Sequence, residues 1–97
     1  MDSSWDRLLD LIDHLAAQPT QPVDRDLETR LQTLCAESIA DGYIDSELDA
    51  RDSARWLGGL LVAYRALREA HPHVDPDDEL ADLRRIATRW LHPARPR

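Results

Sequence analysis

Cysteine is nearly missing from this 97-residue chain, and lysine is missing altogether: Cys35 stands alone, and all twelve cationic side chains are arginine. A lone cysteine closes no internal disulfide, so the fold must rest on packing, in keeping with a reducing compartment. The lysine deficit carries no functional weight. Long apolar runs are absent too, and none approaches the roughly 20 residues that a bilayer crossing requires. The opening Met1-Asp2-Ser3-Ser4-Trp5-Asp6 lacks the basic start and apolar stretch of a signal peptide, which predicts a cytoplasmic location. There is no alternating strand pattern, internal repeat or low-complexity tract. Nor is there a nucleophile elbow, a phosphate loop or an HExxH motif, so an enzyme is not expected and no cofactor is implied.

What remains is ordinary for a single small globular domain. The hydrophobic fraction of 42% excludes a wholly disordered chain. A net charge of -7 and a pI near 4.9 argue against bulk electrostatic binding to nucleic acid. The charge is unevenly placed. No Asp or Glu follows Asp82, whereas Arg84, Arg85, Arg89, Arg95 and Arg97 all lie beyond it. Cations there suit the C-terminal dipole of a last helix, with residues 93–97 as a frayed tail.

Proline-marked breaks divide the chain into four predicted helices, an all-α fold. Ser3 with Asp6 three residues on makes a variant capping box, and Trp5, Leu8, Leu9, Ile12, Leu15 and Ala16 follow at helical spacing. Leu11 widens that stripe, and Pro19 stops the helix by Gln18. The first helix and its linker thus occupy residues 1–23. Asp24 caps a second helix, carried by Leu27, Leu31, Leu34, Cys35, Ser38 and Ile39 to about Asp41, with Gly42 as its left-handed stop. Tyr43-Ile44 is expected to pack a short connector on the core. Asp49 caps a long third helix that ends near Ala70. Asp75-Pro76-Asp77-Asp78-Glu79 then supplies cap, N1 proline and first-turn carboxylates for the fourth. Its apolar stripe is Leu80, Leu83, Ile86, Ala87, Trp90 and Leu91, and it stops before Pro93.

The third helix is the most informative. Between Arg55 and Arg65 it carries no charge at all: Trp56-Leu57-Gly58-Gly59-Leu60-Leu61-Val62-Ala63-Tyr64. At about 100° per residue, Leu57, Leu60, Leu61, Tyr64 and Leu67 form one bulky face, and Gly59, Ala63, Ala66 and Ala70 a small-residue stripe opposite. A helix apolar all round must be covered all round. In so short a chain, the second cover is expected from another copy. The expected dimer interface is Gly59, Val62, Ala63, Ala66 and Ala70 with Leu83, Ile86 and Trp90 of the fourth helix, burying well over about 1,000 Å².

Few residues carry chemistry. Cys35 sits on an apolar face, where a thiol serves as a small core hydrophobe. His71-Pro72-His73-Val74-Asp75 has metal-ligand side chains, but no fourth ligand or paired motif accompanies them, and Asp75 is occupied as a cap. No metal site is expected. His14 falls on a polar face beside Asp10 and Asp13. The carboxylates Asp45, Glu47 and Asp75 to Glu79 lie at helix starts among polar neighbours, which does not suit paired catalytic acids. Trp5, Trp56, Tyr64 and Trp90 fill core and interface. Some of them could instead line a small-molecule pocket between helices, with polar groups from Thr33, Cys35, Ser38 and Tyr64. The candidate ligand-binding set is Cys35, Trp56, Leu60, Tyr64 and Trp90, for a small hydrophobic effector.

The segment Leu34-Cys35-Ala36-Glu37-Ser38-Ile39-Ala40-Asp41-Gly42-Tyr43-Ile44-Asp45-Ser46-Glu47-Leu48-Asp49 resembles part of TetR-family transcriptional regulators. There a helix ends in glycine, an aspartate-rich connector follows, and the next helix is long and apolar. Ala54 to Tyr64 looks like the first of the two helices that dimerise those proteins, and Leu80 to Leu91 like the second; the resemblance spans about Leu31 to Pro93. It implies a C-terminal regulatory domain whose homodimer is a four-helix bundle, and whose effector releases the operator by changing the spacing of two DNA-reading heads. The family's basic helix-turn-helix has no counterpart before Trp5, and the regulatory part looks short. This chain alone is therefore not expected to bind nucleic acid. Two other readings stand beside it: a headless partner forming mixed dimers with a full-length regulator, and a helical small-molecule binder.

Overall fold

In the computed structural model, which describes residues 2–93, four helices follow one another in chain order: α1 (Ser4–Ala16), α2 (Arg25–Ala40), α3 (Ala50–Ala70) and α4 (Pro76–Leu91). No strand occurs among the described residues. The fold is a small all-α bundle. The tail expected beyond Pro93 lies outside the described residues.

Each helix starts where a short polar side chain can satisfy its free N–H groups. Ser3 Oγ accepts from the Asp6 amide at 3.0 Å while the Asp6 carboxylate accepts from the Ser3 amide, completing the capping box. Asp24, Asp49 and Asp75 accept from the amides of Leu27, Asp52 and Asp77. After α2 the chain turns through Gly42 at φ +84°, a left-handed conformation that residues with a Cβ adopt only at a cost. The Tyr43 and Ile44 amides then both donate to the Ser38 carbonyl.

The core is formed by Leu8, Ile12 and Leu15 of α1, Leu27, Leu31 and Cys35 of α2, Leu57, Leu61 and Tyr64 of α3, and Leu83, Ala87 and Leu91 of α4. All four helices contribute, so none is dispensable to the burial that stabilises so small a domain. In the α2–α3 connector, Ile44 is buried and Tyr43 is 39% exposed. The connector is also tied to the far end of α4: the Asp45 amide donates to the Leu91 carbonyl at 2.8 Å. His92 Nδ1 lies 3.0 Å from the Tyr43 carbonyl oxygen, and the Trp5 ring stands 4.8 Å from the His92 ring. At the other end of the bundle, the residue 18–23 linker lies on α3, with Val23 Cγ1 only 3.0 Å from where a Cβ on Gly58 would sit.

Two placements correct the sequence reading. Leu67, read as part of the bulky inner face of α3, is 47% exposed. It marks one edge of the set Leu57, Leu60, Leu61, Tyr64 and Leu67, whose spread exceeds the stripe α1, α2 and α4 can cover; Leu60, next to that edge, is half-buried. Leu83, read as an interface residue, lies in the chain's own core. With Ala87 and Leu91 it forms the inner i, i+4 row of α4, whereas Ile86 and Trp90 form the outer row.

Candidate functional site

The two glycines at the centre of α3 point about 100° apart around the helix, one inward and one to the surface. Gly58 is buried against the Val23 side chain and needs to be small for an internal reason. Around Gly59 an added Cβ would meet nothing within 4 Å. A glycine in a helix interior costs roughly 1 kcal/mol relative to alanine, and no contact among the described residues accounts for that cost at Gly59.

Gly59 lies in a continuous apolar surface. Trp56, Val62 and Ile86 are 58%, 54% and 55% exposed, and Leu67 joins them, with Ala63, Ala66 and Ala70 exposed between. Trp56, Leu60, Ile86 and Trp90 line a groove of about 330 Å³ between α3 and α4 whose surface is almost wholly non-polar. Scattered exposed apolar side chains are normal, but a contiguous set on two adjacent helices is the mark of a contact surface. Seven of the eight expected interface residues lie on or beside this face; Leu83 is the exception. Trp56 belongs to the face as well. Its place one turn before Gly59 and Leu60 was legible in the helical spacing and could have included it.

The candidate ligand-binding residues do not converge. Trp56, Leu60 and Trp90 meet in the groove. Tyr64 borders a different depression of about 360 Å³, with Ala16, Pro19, Arg68 and Leu80 among its walls. Burial pushes the Tyr64 phenol up, the Arg68 charge lowers it, and Glu79 and Asp77 raise it further. Cys35 is fully buried in the core, away from the groove. Ser38 is also enclosed, and its Oγ has no hydrogen-bond partner among the described residues. Thr33 is exposed and its hydroxyl donates to the Thr29 carbonyl.

Burial drives the Cys35 thiol up to about 12 from 9.0. A thiol reagent at pH 8 is therefore expected to label Cys35 only as fast as the chain unfolds; immediate stoichiometric labelling of native protein would contradict its enclosure. The folded state holds this proton more tightly than the unfolded state. Its contribution to stability is complete below about pH 9 and declines as pH rises toward about 12.

Among the described residues, no three His, Cys, Asp or Glu side chains are placed to share a metal ion. The exposed His71 and His73 rings stand edge to face with centroids 5.8 Å apart, and Asp75 holds the Asp77 amide. No described helix is long and apolar enough to cross a membrane. No known protein family, curated protein or solved structure matches the chain.

Proposed function

We propose that this chain is a homodimerisation and regulatory domain of the TetR-like kind that associates through α3 and α4. The observation that carries the reading is the apolar face of Trp56, Gly59, Val62, Ala63, Ala66, Leu67 and Ile86, left open by the chain's own helices, with half-buried Trp90 at its edge. The order of elements also supports it: α2 ends at a positive-φ glycine, a short connector follows, and two long helices lie side by side. A second copy suits this face better than a small molecule does, because the face runs along α3 well beyond the groove. Two copies bring four long helices together, and bulky side chains of one can lie on the small-residue stripe of the other. The isolated fold offers no enclosed chamber made by Cys35, Tyr64 and the tryptophans together, so any effector would bind at the groove or at the completed dimer.

Sedimentation at micromolar concentration is the direct test. A dimer that holds together on dilution is expected, because mainly apolar interfaces of this kind are obligate. A monomer across that range would defeat the reading. If association appears only when a full-length regulator is co-expressed, the mixed-dimer reading replaces it.

A further inference from the structure

Resting on the proposed homodimer, we infer that α3 packs against α3 of the second copy in antiparallel fashion, with Val62 and Ala63 at the twofold axis and Arg55 beside Glu69 of the second copy. The residue order of the exposed face carries this. About a centre between Val62 and Ala63, Gly59 faces Ala66, and the Arg55-Trp56 pair faces Glu69-Ala70. Small residues thus meet small residues on both sides of the axis, where the two backbones come closest.

The charges discriminate between directions. Arg55 and Glu69 are both exposed, near opposite ends of α3 and on the side that carries Val62. Among the described residues, Arg55 is held only by an exposed contact of 3.5 Å with Asp52. Glu69 makes no ion pair among the described residues. A parallel pairing in register would put Arg55 against its own copy and Glu69 against its own copy, an unfavourable meeting at both ends. The antiparallel arrangement gives an opposite-charge pair at each end, twice by symmetry.

Charge exchange tests this. Arg55→Glu and Glu69→Arg alone should each weaken self-association by about tenfold, since each turns two attractive pairs into repulsive ones. Neither should unfold α3, because each moves a charge toward the helix end that favours its sign, and circular dichroism would check that. Mixing the two single variants should restore association by forming the mixed pair, and the double variant should recover as well. If wild type is a dimer and the single variants match it, or if mixing restores nothing, the antiparallel register is overturned while dimerisation stands. A wild type that sediments as a monomer overturns both.

Discussion

Gly59→Leu and Ala63→Leu are each expected to leave the chain folded and to weaken its self-association by about a hundredfold or more. Both positions are exposed on the face away from α1 and α2, and a Cβ at Gly59 meets nothing within 4 Å. Leucine is a better helix former than glycine by roughly 0.8 kcal/mol, so α3 itself should gain from the first change. In a twofold interface every substitution is present twice. Overpacking a close contact costs about 1–3 kcal/mol at each occurrence, which gives the expected loss. The neighbouring glycine supplies the control. Gly58→Leu puts its branch against Val23, already 3.0 Å from the Cβ position, and should lower the melting temperature rather than change the association constant. The two adjacent glycines would then separate by readout, one through folding and one through assembly. Wild-type sedimentation of both Gly59→Leu and Ala63→Leu would place the contact elsewhere.

That contrast shows where the sequence was legible. Helix starts were readable because a cap is a local event: Ser3, Asp24, Asp49 and Asp75 each bond an amide two or three residues ahead. Gly42 was readable for the same reason, as a stop that needs positive φ. The inner and outer rows of an apolar helix were harder. Leu83 and Ile86 are three residues apart in one stripe, and only the position of α1 and α3 decides that the first is covered and the second left open. Gly58 and Gly59 could not be told apart by pattern, since the answer depends on where the residue 18–23 linker crosses α3. The pocket residues are spread for a related reason. Spacing places aromatics on a face of a helix, but it does not say which helix crosses that face, and so does not separate Tyr64 from Trp56, which border different depressions.

The tertiary contact least visible in the sequence gives the second large effect. Arg65 lies among the apolar residues of α3, yet its guanidinium reaches back to the end of α1. Nη1 donates to the Gln21 carbonyl at 2.6 Å, and Nη2 donates to the carbonyls of Gln18 at 3.0 Å and Leu15 at 3.3 Å. The Leu15 carbonyl lies at the negative end of the α1 dipole, and it and the Gln18 carbonyl already accept from the Gln18 and Gln21 amides, so the guanidinium adds a second, charged donor to each. The same side chain also fixes the linker whose Val23 rests on Gly58. Arg65→Ala should therefore cost about 2–4 kcal/mol, because hydrogen bonds to a charged donor exceed ordinary ones and several are lost together. That is a large share of the roughly 5–15 kcal/mol by which a small domain is stable. Arg65→Lys should lose less but still measurably, since an ammonium keeps the charge without the planar fork that spans separate acceptors. Urea melts of the three proteins at one concentration would read the order wild type, lysine, alanine. Equal midpoints would mean that water replaces the guanidinium at no cost, and that packing of Val23 alone holds the linker on α3.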